Sequence, residues 1–139
     1  MTYAVTVAAL ETTARAAGCQ SFWHGKQATQ STNYNAPFPQ ADLLLLNPNL
    51  NVARGNVVYE GVVYFYGDDQ LENSAAQSIA VLDAIDVLSQ KFVAGLAELD
   101  DYELGDEVRR QPLYREGSMI GTGFAVAFTL TAKATALCL

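Results

Sequence analysis

The chain has 139 residues, half of them hydrophobic, and carries 15 acidic against 8 basic residues for a formal charge of −7. A chain of this length makes about one domain and can fold around its own core without a staple, and the acidic balance argues against a protein that grips nucleic acid by its phosphates. The two cysteines, Cys19 and Cys138, match neither a zinc cluster nor a redox pair and read as reduced, small apolar side chains in a protein made in a reducing cytoplasm.

Met1, Thr2 and Tyr3 are not followed by the basic and apolar runs of a secretory signal. Thr2 to Ala17 is rich in alanine and places Val7, Leu10, Ala14 and Ala17 on one helical face, with Gly18 positioned as a C-terminal cap. Cys19 to Gly25 reads as a short strand. Lys26 to Gln40 is a polar loop of unusual length for a small domain, and its aromatic residues Tyr34 and Phe38 suggest that it folds against its own domain or a neighbouring subunit. The four leucines of Ala41 to Leu46 are too short a run for a helix before Pro48 and read as a strand buried on both faces. Asn47 to Asn56 reads as a turn or protruding loop.

Val57 to Tyr66 is the clearest strand by composition, with Val57, Tyr59, Val63 and Phe65 on one side and Val58, Val62, Tyr64 and Tyr66 on the other. Both sides are apolar, so one needs a cover other than helices, and tyrosine is common where a partner protein is that cover.

The chain is organised around Ser74 to Leu99, a long amphipathic helix. Asp69-x-x-Glu72 and Ser74-x-x-Gln77 both fit a capping box, the second better placed. Val81, Ile85, Leu88, Phe92, Leu96 and Leu99 form one stripe, with Asp83, Asp86, Gln90 and Lys91 mostly off it. Asp100 to Arg115 reads as a strand with loop portions and a bend at Gly105. Met119 to Leu137 is a long final strand whose Phe124, Val126, Phe128, Leu130 and Ala132 alternate with small and polar residues. Gly117 to Leu139 carries Lys133 and alternates like a strand, so no membrane span is predicted.

The predicted order is therefore α-β-β-β-α-β-β in a single domain over residues 1–139: an α+β fold, a mainly antiparallel five-stranded sheet with two helices packed on one face. No catalytic, cofactor or metal site is predicted. The lone histidine, His24, has no nucleophile beside it by any motif. Glu98, Asp100, Asp101, Glu103, Asp106 and Glu107 lack the order of a calcium loop and read as a solvated acidic face. Asp68, Asp69 and Glu72 complement the dipole at the start of the long helix. Gly117, Gly121 and Gly123 precede a strand rather than a helix, so they do not make a phosphate loop. Arg109, Arg110 and Arg115 stand among carboxylates, which suggests pairing within or between subunits.

In the order of its elements the whole chain resembles the tail terminator and neck (head-tail joining) proteins of tailed bacteriophages. The local likeness lies in Phe22-Trp23-His24-Gly25 before a polar loop, in Tyr64-Phe65-Tyr66-Gly67-Asp68-Asp69 before the long helix, and in Met119-Ile120-Gly121 through Phe128-Thr129-Leu130. The resemblance implies a structural virion protein with no catalytic residues, assembled in the host cytoplasm into a homo-oligomeric ring, commonly a hexamer. Such a ring ends the tail tube, docks head-completion proteins and lets DNA through without sequence-specific binding. From the residues themselves, the surplus of apolar strand faces points to burial against further copies, with Tyr34, Phe38, Tyr59, Tyr64, Tyr66, Arg109, Arg110 and Arg115 as interface candidates. Two other readings stand beside it: another tail or injection-machine subunit of tube or baseplate type, and a ligand-binding domain with Tyr59, Phe65, Phe92 and Trp23 around an internal pocket.

Overall fold

Thr2 accepts a hydrogen bond from the Val5 amide at 3.2 Å, and Gly18, at φ 126°, lets its own amide close on the carbonyls of Ala14 and Arg15; between these caps runs α1 (Tyr3–Ala17). The second helix, α2 (Ala75–Ala97), starts at the reciprocal capping box, with the Gln77 amide donating to Ser74 Oγ at 3.2 Å and the Ser74 amide donating to Gln77 Oε1 at 2.7 Å. The computed structural model describes residues 2–24, 37–69, 73–114 and 121–133. Its strands are β1 (Ser21–His24), β2 (Gln40–Asn51), β3 (Asn56–Asp68), β4 (Tyr102–Leu104), β5 (Arg109–Leu113) and β6 (Gly121–Ala132). They form one sheet in the order β1-β2-β3-β6-β4, with β5 also paired to β6.

The fold is α+β as the sequence predicts, with three differences of detail. First, Asp100 to Arg115 gives two strands rather than one, so the sheet has six among the described residues. Leu104 pairs with Leu130 and Arg109 with Ala127, so residues 105–108 stand opposite only residues 128–129 and the edge breaks there. Gly105 is the start of that break, its amide donating to the Thr129 carbonyl at 2.8 Å.

Second, β1 pairs with β2 in parallel, Ser21 opposite Gln40 and His24 opposite Leu43, whereas every other pair is antiparallel. A parallel pair needs a crossover connection of a dozen or more residues. That requirement explains why the chain spends so many residues between His24 and Gln40, where a meander would have used a short turn.

Third, β2 does not end at Leu46 but runs through Pro48 to Asn51, and it is not buried on both faces. Leu43 pairs with Val63 and Leu45 with Val62, so Leu44 is a bulge. The extra residue resets the alternation, and as a result Leu43 and Leu46 are both buried while Leu45 faces outward at 38% exposure. The hairpin to β3 turns at residues 52–55, with the Gly55 amide on the Asn51 carbonyl and Gly55 at φ 67°, the left-handed geometry glycine tolerates.

The helices cover one face of the sheet. Leu10, Ala14, Ile85, Leu88, Phe92 and Leu96 pack there on Ala41, Leu43, Tyr59, Val63, Phe65, Val126, Phe128 and Leu130. Phe92 is at the centre, its ring 4.9 Å from that of Phe65 and 6.0 Å from that of Phe128, both edge-on. Phe128 lies over Gly61, where an added Cβ would come within 2.6 Å of the ring, so the glycine is the space the ring occupies. Of the predicted helical stripe, Val81 and Leu99 are half-buried and the other four residues are buried.

Candidate functional site

The eight interface candidates fall in different places. Tyr34 and Arg115 lie outside the described residues. Tyr59 is 2% exposed and points into the core, where its ring meets that of Tyr102 edge-on at 6.4 Å, so it holds the helices to the sheet and offers nothing to a partner. Tyr66 is also buried, on the opposite side of the sheet, and Tyr64 beside it is half-buried with its ring 6.0 Å away. Phe38 is half-buried before Pro39, across a cis peptide bond.

The arginines differ from one another. Arg110 turns toward the helices, forms an ion pair with Asp86, donates to Ser89 Oγ at 3.1 Å and lies 5.7 Å from the centre of the Phe124 ring. Its hydrogen bond to Asp86, with a second from Gln90, holds the Asp86 carboxyl below its usual range. Arg109 pairs at 2.9 Å with Glu107 on the surface, where both side chains are at least three-quarters exposed. Such a pair contributes little to stability and remains available to a partner.

The face of the sheet away from the helices has two parts. Toward β1, Gln40, Asp42 and Tyr66 are closed off from solvent. Toward the β2–β3 hairpin the face opens, and Leu45, Glu60, Val62, Ala127, Thr129, Glu107 and Arg109 border a shallow hollow of about 330 Å³. Beyond it the hairpin carries Leu50 at 68% and Val52 at 84% exposure. The sequence reads as a turn or protruding loop here and does not mark these two; the signal it offers is a leucine and a valine isolated among asparagines.

His24 and Asp69 both have structural partners. His24 Nδ1 is 2.8 Å from the Leu43 carbonyl, which can only accept, so Nδ1 carries a proton, and Nε2 lies 3.0 Å from Tyr3 Oη, within hydrogen-bond distance. The ring thereby ties α1 to β2. Asp69, read from the sequence as a helix-dipole carboxylate, is fully buried and joins three elements: it accepts from Ser78 Oγ at 2.9 Å, Asn73 Nδ2 at 2.9 Å and Thr122 Oγ1 at 2.6 Å. Glu98, Asp100, Asp101, Glu103, Asp106 and Glu107 are all exposed, around β4 and the break after it. Among the described residues no three His, Cys, Asp or Glu are grouped to hold a metal ion, and no helix is long and apolar enough to cross a membrane. Phe65 and Phe92 fill the space between sheet and helices with their own rings, and Trp23 lies on the other face with Asp42, so these aromatics do not line a common pocket.

Cys19 is buried, and burial pushes its thiol up to about 12 despite nearby Arg15. In a Cys138→Ser variant, a thiol reagent at pH 8 is expected to leave Cys19 unmodified in the native protein and to modify it fully in denaturant. The same shift predicts that this group leaves stability unchanged below pH 9 and lowers it as the pH rises from 9 toward 12, because only the unfolded chain can then release the proton. Comparison with protein-family models and with curated proteins finds no match to this chain.

Proposed function

We propose that the protein is a structural subunit of a phage tail terminator or neck, one that forms a homo-oligomeric ring, a hexamer by preference, capping the tail tube and joining it to the head. The observation that carries this reading is the exposed apolar end of the β2–β3 hairpin together with the open half of the sheet face beside it. A ring closes through two unlike patches on each copy. The hairpin end, with Leu50 and Val52, supplies one, and the hollow bordered by Leu45, Val62, Ala127 and Thr129 supplies a shape for the other. Burial of a leucine or valine is worth about 1.5 to 3 kcal/mol, so two per contact repeated around a ring outweigh what a solvent-exposed tip gives a single copy.

The charge supports the same reading. A ring of subunits that each carry −7 presents DNA with a repelling wall if the acidic residues around β4 face the channel, so the genome passes without sticking. The partners on this reading are the tail tube protein and the head-completion proteins, the place is the virion, and the protein has no cofactor. A tube or baseplate-type subunit is the second reading, since it rests on the same exposed hairpin and differs only in neighbours.

The hairpin variant Leu50→Glu with Val52→Glu tests the contact. Both side chains are exposed, so the fold is expected to survive with an unchanged melting temperature, while ring formation on tail tubes drops at least tenfold. Unchanged ring formation would remove the hairpin from the interface.

A further inference from the structure

Among the described residues, the core packs against one side of α2. Its outward side carries Ala76, Ala80, Asp83, Val87, Gln90, Ala94 and Ala97, all exposed, spaced alternately by four and three residues. That is the spacing of a seam between paired helices, repeating every seven residues. Neither Asp83 nor Lys91 has a hydrogen-bond or ion-pair partner for its side chain among the described residues. Eight residues apart on one helix, they stand about 12 Å from each other and cannot pair within the chain.

We propose that this face is a self-docking surface, on which two copies of the chain pack α2 against α2 in antiparallel orientation with Val87 at the twofold axis. Charge selects that occupant and that orientation. Asp83 and Lys91 are each four residues from Val87, so about an antiparallel twofold the Asp83 carboxylate of one copy faces the Lys91 ammonium of the other, twice. A parallel pair would set Asp83 on Asp83 and Lys91 on Lys91. Ala80 and Ala94 are each seven residues from Val87 and also come opposite one another. Their single methyl groups let the two backbones approach closely on both sides of the 52%-exposed Val87.

This contact joins like patches and does not depend on the proposed ring, which joins unlike ones. The two are told apart by mass and by charge exchange. Sedimentation of the full chain over a concentration series is expected to show a monomer–dimer equilibrium or, if rings also form, only even-numbered assemblies. Asp83→Lys and Lys91→Asp each place like charges opposite one another and are expected to weaken the pairing at least about tenfold. Mixing the two single variants restores opposite charges at both crossings, so the mixture is expected to associate as tightly as the original chain, as is the double variant. Circular dichroism of each variant separates loss of pairing from loss of fold. A chain that stays monomeric throughout overturns the proposal, and so do single variants that pair normally or a mixture that fails to recover. Ring formation that ignores these substitutions leaves the ring reading standing and ends this one.

Discussion

Replacing Phe92 with alanine is expected to destabilise the protein by about 3 to 5 kcal/mol, the usual range for truncating a buried phenylalanine that leaves a cavity. Phe92 has no exposed surface, and its ring touches one phenylalanine on β3 and another on β6. Neither neighbour can close the gap freely. Phe128 is pinned over Gly61, and Phe65 is held by the chain on either side: an added Cβ at Gly123 would fall 1.7 Å from the Phe65 carbonyl oxygen, so β3 and β6 are already in contact there. Urea unfolding followed by the fluorescence of Trp23 measures the loss. A change under about 1.5 kcal/mol would mean that the space collapses and that the helix is not seated on the sheet through this ring.

The second large effect is expected at Asp69. Its buried carboxylate takes hydrogen bonds from Ser78 at the start of α2, from Asn73 just before it and from Thr122 at the start of β6. Alanine removes the acceptor shared by two buried hydroxyls, those of Ser78 and Thr122, and by the half-buried Asn73 amide. Each buried unsatisfied donor costs about 1 to 3 kcal/mol, which puts Asp69→Ala at about 3 kcal/mol or more. Asparagine keeps one acceptor oxygen, and the hydroxyls can rotate to accept from its amide, so Asp69→Asn is expected to recover at least half of the loss. If alanine and asparagine behave alike and both are mild, the three elements are held by their packing and the carboxylate is incidental.

These two residues differ in how far the sequence announces them. Phe92 lies on a helical stripe whose period can be counted, and the capping box at Ser74 and the glycine at position 18 mark helix ends by chemistry that is local to a few residues. The alternation of β6 is equally legible, with Val126, Phe128 and Leu130 buried in turn. Asp69 is not legible in that way. Asn73 is only four residues away, but its two buried hydroxyl partners, Ser78 and Thr122, are nine and 53 residues further along, and a carboxylate before a helix has a sufficient local explanation in the helix dipole.

The same distinction accounts for the other differences. Periodicity says that Tyr59 and Tyr64 are on opposite faces of β3, but not which face the helices cover, so the sequence alone offers Tyr59 as an interface tyrosine although it lies in the core. The parallel pairing of β1 and the bulge at Leu44 depend on long-range register, which no short stretch encodes. The leucine run announces burial and conceals the bulge, since four consecutive leucines look alike whether they alternate evenly or slip by one. The outward side of α2 shares its helix with the inward stripe but none of its residues, and its alanines are apolar too weakly to stand out beside the large side chains of the stripe.

The ring is the claim on which the functional account rests, and electron microscopy of tail tubes incubated with the purified protein tests it most directly. A ring of identical subunits seated at tube ends is expected, six by preference, with the β2–β3 hairpin of each copy against its neighbour. Bare tube ends, with the protein remaining as single molecules or isolated pairs under the same conditions, would contradict it.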